Sequence, residues 1–329
     1  MVQAMTNSEP YEILEPNRPI VDAHHHLWIR NSERYLIDEF RSDISSGHHV
    51  VASIFAECGA MYRRDGPRAM RCVGEAEFVA GMAAMSASGL YGSTHICAGF
   101  IGGADLTIGG EVDEVLDALH VASGERLRGI RAAIKWDADG DVPATRPMKQ
   151  QGLLLDQRYR QGIARVDARK LVLDVGLYHP QLLDVCALAE AFPYLTIVVD
   201  HCGGLVRTGR HARPDTFDRW RQLISEASRR PNIHMKLGGL AGKRCGFGFE
   251  SRERAATVEE LVRLWAPYFD ACIEHFGAKR CMFEGNFPID GLAGSYRTVW
   301  NAFKMAVRGY SSSEKDDLFS ETARRVYRL

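Results

Sequence analysis

The sequence has little that would direct the protein to a membrane, a secretory route or nucleic acid. It contains no run of about 18 apolar residues, so we expect no membrane-spanning helix. The 42 acidic residues nearly balance the 41 Lys and Arg residues, which gives no electrostatic basis for binding nucleic acid or an anionic membrane. The polar segment 1–19 has neither the basic start nor the apolar stretch of a signal peptide. We interpret it as a flexible arm on the outside of the domain.

Paired cysteines and nucleotide-binding glycine motifs are also missing. None of the eight cysteines forms a CxxC pair, and they are scattered through apolar stretches such as His95-Ile96-Cys97-Ala98. This distribution predicts reduced thiols in a cytoplasmic protein rather than a disulfide framework. No GxGxxG follows the first predicted strand and no Walker A motif occurs, which argues against a doubly wound dinucleotide fold.

What the chain does contain is enough apolar material for a large core. It has 329 residues, of which 46% are hydrophobic and 25% are charged, close to the average for globular proteins. Roughly 150 residues per domain would suggest two domains, but an α/β barrel of this length forms one.

Short apolar, β-branched runs alternate with stretches of helical periodicity. Such runs are too short for helices, and several are apolar on both faces, as buried parallel strands are. The eight runs are Pro19–Ala23, His49–Ala56, Gly92–Ile101, Leu127–Ile134, Leu171–Tyr178, Leu195–Val199, Asn232–Leu237 and Arg280–Phe283. The helical stretches are Ala69–Ser86, Gly110–Ser123, Leu153–Arg169, Pro180–Phe192, Asp215–Arg230, Thr257–Phe276 and Leu292–Val307. This alternation predicts an α/β fold, a single-domain (β/α)8 TIM barrel over residues 20–329.

Three long segments follow predicted strands at the carboxyl face, where barrel enzymes build their active sites. They are Arg30–Gly47, which has little helical pattern, Trp136–Gln151 and Ala241–Arg254. Long loops at this face are more often functional than ornamental, so we expect them to border the site. The last stretch, Ser311–Leu329, is predicted to be a capping helix.

Histidines stand at the ends of three predicted strands. His24 and His26 share one face of the first strand because strand side chains alternate, and His25 points to the other face. His179 ends the fifth strand and His201 follows the sixth. The carboxyl ends of barrel strands meet at one rim, so these imidazoles should converge there, as ligands of zinc or a similar ion do. Ordinary packing explains a lone HxH pair, but it explains four converging histidines poorly.

Three segments together resemble the amidohydrolase superfamily: Asp22-Ala23-His24-His25-His26, Val199-Asp200-His201 and Phe283-Glu284-Gly285-Asn286-Phe287-Pro288. More narrowly, they resemble the branch of TIM-barrel metal-dependent hydrolases that contains sugar-acid lactonases and 2-pyrone-4,6-dicarboxylate lactonase. The resemblance implies that His24, His26 and His179 bind a divalent metal, with zinc expected. It also implies that His201 binds the metal or contacts the attacked group.

The eighth strand departs from this resemblance, because the superfamily has a water-activating Asp where this chain has Asn286. An amide cannot take up a proton at neutral pH and is a poor ligand for a divalent cation. Three carboxylates are candidates to replace the Asp: Glu57 and Asp290, which we rank slightly higher, and Glu284. A metal-free mechanism also stays open, as in the pyrone-dicarboxylate lactonases of this branch.

Several other side chains are predicted to contact the substrate. A guanidinium can hold a substrate carboxylate through two hydrogen bonds. The candidates are Arg131 and Lys135 at the end of the fourth strand, Arg63 on the second loop, Tyr178 as a wall of the pocket, and Glu284. Lys236, in the seventh strand, requires a partner carboxylate or a ligand, because a lone charge inside a barrel is costly.

The predicted function is a hydrolase that opens a lactone, or cleaves a related ester or amide, of a small carboxylate-bearing substrate with an activated water. One alternative is a non-oxidative decarboxylase of the same superfamily. Another is a barrel that binds a small molecule without catalysis. The expected partner is the small-molecule substrate, and a homo-oligomer is left open.

Overall fold

Eight parallel strands form the central sheet of the computed structural model, which describes residues 12–30, 33–144 and 148–329. They neighbour one another in chain order: β1 (Ile20–His25), β2 (Val50–Ala56), β3 (His95–Gly102), β4 (Leu127–Ala133), β5 (Val172–Gly176), β6 (Ile197–Val199), β7 (Ile233–Leu237) and β8 (Cys281–Phe283). The two outer strands approach each other just beyond β8, where the His26 N–H donates to the Phe287 carbonyl and the Asn286 N–H donates to the His24 carbonyl, both at 2.8 Å. The predicted (β/α)8 barrel is confirmed.

Helices cover the outside of the barrel. They are α1 (Ile37–Ile44), α2 (Val73–Ala87), α3 (Val112–Ala122), α4 (Gln157–Ala168), α5 (Leu182–Ala191), α6 (Thr216–Ser228), α7 (Val258–Phe276) and α8 (Tyr296–Ala306). All five residues of β5 are buried, because one face of the strand meets the barrel interior and the other meets the helices. Continuous apolar runs in the sequence follow from this burial on both faces.

The C-terminal segment packs beneath the amino ends of the strands. It runs through Ser312–Asp316, a π-helical turn at Asp317–Glu321 and Thr322–Tyr327, where one capping helix was expected. Tyr327 is fully buried, and its hydroxyl lies 3.0 Å from each carboxylate oxygen of Asp174 in β5. The end of the chain is therefore linked to a charged group inside the barrel.

The described part of the predicted N-terminal arm, residues 12–19, lies against α8. The Leu14 N–H donates to Asn301 Oδ1 (2.9 Å), and Lys304 Nζ donates to the Glu15 carbonyl (2.9 Å). Residues 1–11 lie outside the described residues.

The expectation of little helix between residues 30 and 47 is wrong. Helix α1 lies in this segment, after a short hairpin of Trp28–Arg30 and Glu33–Tyr35. Ile37, Phe40 and Ile44, spaced three and four residues apart, bury one face of α1. Three apolar residues in eight give too short a pattern to stand out in the sequence.

The other two long loops carry little regular structure. In the loop after β4, Thr145–Pro147 lie outside the described residues. The loop after β7 contains two short 3-10 turns, Lys243–Cys245 and Phe249–Ser251. All eight cysteines are free and buried, as predicted. In the described part of the chain, no helix has the length and apolar character of a membrane span.

Candidate active site

The end of β1 places two imidazoles edge to face inside the mouth of the barrel, with ring planes 87° apart. The Nε2 atoms of His24 and His26 lie 3.3 Å apart. His26 Nδ1 must carry a proton, because it donates to the Ala56 carbonyl (2.8 Å), and its Nε2 is therefore a lone pair. His25 points away, stacks on Phe40 with ring centroids 4.1 Å apart, and lies 3.0 Å from Ser53 Oγ.

Glu284, just after β8, connects the histidines of β1 and β6. Its Oε1 accepts hydrogen bonds from His201 Nδ1 (2.6 Å) and from the His201 backbone N–H (3.0 Å). Its Oε2 lies 3.1 Å from His24 Nδ1. The carboxylate favours a proton on Nδ1 of His201, which leaves Nε2 of that ring as a lone pair. His24 Nδ1 also lies 3.3 Å from the Lys236 ammonium, which can only donate, so His24 Nδ1 is an acceptor and its Nε2–H donates to His26 Nε2. Glu284 is 0% exposed, and its contact with the substrate stays a prediction.

A strained turn after β6 brings the His201 ring to this position. His201 and Cys202 both adopt left-handed backbone conformations, with φ of 57° and 50°. A Cβ on Gly239, in the loop after β7, would lie only 2.1 Å from His201 Nδ1. The turn and the glycine therefore seat the ring against Glu284, and strain of this kind is typical of functional sites.

Buried charges surround the histidines. Arg131 donates from Nε (3.0 Å) and Nη2 (2.9 Å) to Asp200, and Lys236 donates to Asp174 (2.5 Å). Lys236 Nζ also lies 3.4 Å from Asp200 Oδ1 and 3.3 Å from His24 Nδ1. The expected partner of Lys236 is thus present twice. Together with Glu284, three carboxylates face two cations, which leaves one net negative charge when the histidines are neutral.

The three clustered histidines are neutral near pH 7. Burial lowers the pKa of His24 to about 4, and the charge of Lys236 acts in the same direction against those of Asp200 and Glu284. Burial also holds the pKa values of His26 and His201 well below the ordinary value. A neutral imidazole can bind a cation or accept a proton through its unprotonated nitrogen.

This donor set fits a divalent metal ion. His24, Asp200 and His201 offer ligand atoms that all lie within 4.8 Å of one another. Two nitrogen ligands at about 2.0–2.1 Å from a tetrahedral zinc ion stand about 3.4 Å apart, close to the observed separation of the His24 and His26 Nε2 atoms. The net negative charge of the cluster favours a cation in the same place.

The remaining predicted catalytic residues lie around this cluster. Asn286 Nδ2 donates to Asp290 Oδ1 (3.0 Å), while the buried Asn286 Oδ1 accepts no hydrogen bond from the described residues. Burial raises the pKa of Asp290 to about 7. Glu57, at the end of β2, accepts a hydrogen bond from the Tyr62 hydroxyl (3.1 Å), and its carbonyl accepts one from Arg131 Nη1 (2.8 Å).

The predicted substrate-binding residues separate into different surroundings. The guanidinium of Arg131 is engaged by Asp200, and Arg63 pairs with Glu77 on the surface. Lys135 is half-buried, and its charge contributes to the low pKa of His201. The buried Tyr178 donates its hydroxyl proton to the Pro143 carbonyl in the loop after β4 (3.1 Å).

His179 is not part of the cluster formed by His24, His26 and His201. Its Nδ1 accepts the Val206 N–H (3.2 Å), and its ring packs against that of His211 with centroids 5.2 Å apart. His211 Nε2 in turn lies 2.8 Å from Asp137 Oδ2. Nothing in the sequence context of His211 indicates this contact.

Sequence reasoning also missed Asp174 and Arg244. Asp174 lies in the middle of an apolar strand, and a charge in such a run is itself a signal of an internal ion pair. Arg244 is buried in the loop after β7, and its charge contributes to the low pKa of His201.

Comparisons with known proteins agree with this geometry. The amidohydrolase family model matches residues 21–329. The uncharacterized protein y4mH of Sinorhizobium fredii is 29% identical, and the alignment covers 94% of this chain and 98% of that protein. An L-fucono-1,5-lactonase of Burkholderia multivorans is 28% identical over 63% of this chain, and the alignment spans 64% of that enzyme, less than two thirds.

A solved structure is similar over nearly the whole chain. The crystal structure of an amidohydrolase from Burkholderia multivorans with bound zinc is 25% identical, with a TM-score of 0.72 over 94% of this chain and 99% of that one. The bound ion in that structure supports a divalent metal site in this fold. The predicted resemblance is confirmed, and the chain belongs to the amidohydrolase family.

Proposed function

We propose that this hydrolase opens the ring of a small, carboxylate-bearing lactone by adding water to the lactone carbonyl. The observation that carries the proposal is the buried Glu284 carboxylate, which orients His201 while the Nε2 atoms of His24 and His26 face each other beside it. The lactonase name of the 28% identical relative supports a lactone over an amide.

His201 is the proposed general base. Its Nδ1–H donates to Glu284, so its Nε2 carries the lone pair, which accepts a long hydrogen bond from Arg131 and can take a proton from the attacking water. Burial keeps the ring neutral before the reaction. The Glu284 carboxylate then stabilises the imidazolium, as the buried acid does in a Ser-His-Asp triad. Arg131 Nη2 lies 3.5 Å from His201 Nε2, where its charge can stabilise an oxyanion next to the base.

The bond changes balance with water as the only co-reactant. The water oxygen bonds to the carbonyl carbon, and its proton passes to His201 Nε2. The bond between that carbon and the ring oxygen then breaks, and the ring oxygen takes the proton from His201. The product is a hydroxy acid, whose new carboxyl group ionises at neutral pH.

His24 and His26 are the residues that would hold a metal, and zinc is the ion we propose. When bound, such an ion lowers the pKa of a water ligand and polarises a carbonyl. His179, which the resemblance had added to the ligand set, is turned toward Val206 and His211 instead. Elemental analysis of the purified protein should find about one zinc per chain. Absence of metal after supplementation would favour the metal-free route through His201 and Glu284.

The proposal is tested by acid release from a panel of lactones that includes L-fucono-1,5-lactone and carboxylated five- and six-membered rings. We expect saturable acid release with at least one ring and its loss in His201→Ala. Release of carbon dioxide without ring opening would contradict lactone hydrolysis and favour the decarboxylase alternative. The free, buried thiols support action in the reducing cytoplasm.

A further inference from the structure

Arg244 is a buried cation without a carboxylate partner. It lies in the 3-10 turn Lys243–Cys245 after β7, and only 8% of its surface is exposed. Its Nη2 donates to the Gly239 carbonyl (2.9 Å). Its buried Nε has no acceptor among the described residues. Burial raises the pKa of Asp290 and the Arg244 charge opposes that rise, but the hydrogen bonds of that carboxylate run to Asn286 and to the Ala241 N–H.

The other two buried cations of the barrel interior are matched. Arg131 is held by Asp200 and Lys236 by Asp174, at 2.9 and 2.5 Å. Removing a charged group from water without a partner is costly, so a buried, unmatched guanidinium is best explained by an anion that arrives from outside.

The loop after β7 fixes Arg244 beside the proposed base. Gly239 lies against the His201 ring, and a Cβ on Gly242 would come within 2.9 Å of Arg244 Nη1. The Arg207 N–H also donates to the Arg244 carbonyl (2.8 Å). The glycines therefore leave room for a guanidinium that is held in place by backbone contacts.

The contacts of Arg244 place it at the barrel mouth. Its Nη2 donates to the Gly239 carbonyl, and that glycine lies against the His201 ring. Burial raises the pKa of Tyr178, and Arg244 opposes that rise. His201 and Tyr178 come from strands on one side of the barrel, so Arg244 acts on the region where the substrate would lie.

We propose that Arg244 binds the substrate's carboxylate and thereby sets the preference for anionic lactones. This inference rests on the proposed lactone hydrolysis. A guanidinium offers a planar pair of donors that matches a carboxylate. Arg131 and Arg63, which the sequence suggested for this role, are engaged by Asp200 and Glu77.

The test uses Arg244→Met and Arg244→Lys, with Lys243→Met as the matched control, since Lys243 is the exposed neighbour in the same turn. The substrate is 5-oxotetrahydrofuran-2-carboxylate, compared with its neutral methyl ester. Binding is measured separately by calorimetry with tetrahydrofuran-2-carboxylate, which has no carbonyl in its ring to hydrolyse, and with the neutral tetrahydrofuran-2-carboxamide.

We expect Arg244→Met to lower kcat/KM for the anionic lactone by roughly 30-fold or more, the loss typical when one partner of a buried charge pair is removed. The same variant should change kcat/KM for the ester by less than about threefold, and Arg244→Lys should lie between. Wild type and Lys243→Met should bind the carboxylate more tightly than the carboxamide, and Arg244→Met should lose this difference.

The two proposals fail in different ways. Equal losses for anionic and neutral lactones in a folded Arg244→Met protein would overturn the role of Arg244. So would a wild type that binds carboxylate and carboxamide equally, a result that does not depend on any variant folding. Arg244-dependent binding without hydrolysis of any lactone would instead refute the proposed function and leave Arg244 as an anion-binding residue.

Discussion

Replacing Glu284 with Gln tests whether the buried carboxylate works through the histidines. The change keeps the shape of the side chain and removes its charge. Oε1 can still accept from His201 Nδ1 and from the His201 N–H, now 2.6 and 3.0 Å away. On the other side, an amide N–H₂ would replace the oxygen that lies 3.1 Å from His24 Nδ1. The imidazolium at His201 loses its counter-charge.

The expected loss follows from these contacts. A hydrogen bond to a charged group contributes about 1.5–3 kcal/mol, which corresponds to roughly 10- to 200-fold in rate. Because the imidazolium also loses its counter-charge, we expect kcat to fall by roughly 10² or more. KM should change little, since Glu284 is fully buried and does not reach the mouth of the barrel. The buried cluster changes from one net negative charge to none, so no cation loses its nearest partner and the fold should survive.

The assay is steady-state acid release from the best lactone, with thermal unfolding to verify the fold. Asp290→Asn is the matched control, because it removes a fully buried carboxylate whose hydrogen bonds run to Asn286 and to the Ala241 N–H. A Glu284→Gln variant that retains more than a tenth of wild-type kcat would refute the reasoning. A larger loss in Asp290→Asn than in Glu284→Gln would move the role to Asp290.

Three further predictions concern stability. Burial raises the pKa of Asp290 to about 7 from an ordinary 3.8, so the folded state holds its proton more tightly than the unfolded state and the residue costs stability as pH rises from about 4 to about 7. Urea unfolding at pH 4.5 and pH 8 should show that the free energy of unfolding of Asp290→Asn, relative to that of wild type, is greater at the higher pH, by at most about 4 kcal/mol. An equal difference between the two proteins at both pH values would contradict this. Lys236→Met removes the cation beside Asp174 and Asp200, and should lower the free energy of unfolding by about 3–5 kcal/mol; a loss below about 1 kcal/mol would contradict the ion pair. Tyr327→Phe removes one hydroxyl donor to Asp174 and should cost about 1–2 kcal/mol with kcat nearly unchanged, whereas a large fall in kcat at full stability would show that the C-terminal segment acts on the site.

The local sequence pattern was sufficient to predict the barrel and the directions of the β1 histidines at its mouth. A strand of the barrel is buried on both faces, so it appears in the sequence as a short apolar run that can be recognised without knowledge of its neighbours. Eight such runs and their spacing therefore predicted the fold. The common face of His24 and His26 follows from strand alternation, and their Nε2 atoms do meet. Helix α1 was not predicted because its buried residues, Ile37, Phe40 and Ile44, form a pattern only two turns long.

Contacts across the barrel could not be predicted in the same way. Lys236 in β7 and Asp174 in β5 are separated by a whole strand, β6, so their 2.5 Å contact depends on how the strands are staggered around the barrel. The sequence indicated only that Lys236 needed a partner. The orientation of His179 similarly depends on the path of the following loops, which bring Val206 and His211 to its ring.

The position of the carboxylate near the end of the eighth strand determines which histidine nitrogens it can contact. The family resemblance expects an Asp at position 286, after the strand, where this chain has an amide in a left-handed conformation with φ of 51°. The carboxylate stands two residues earlier, as Glu284, and its oxygens meet the Nδ1 atoms of His24 and His201 rather than their Nε2 atoms. From that side it can orient the rings and compensate their charge, but it cannot reach a water molecule that lies against Nε2. In the proposed mechanism the proton of the attacking water therefore goes to an imidazole, and His201, which is 4% exposed whereas His24 is wholly buried, is the ring assigned to accept it.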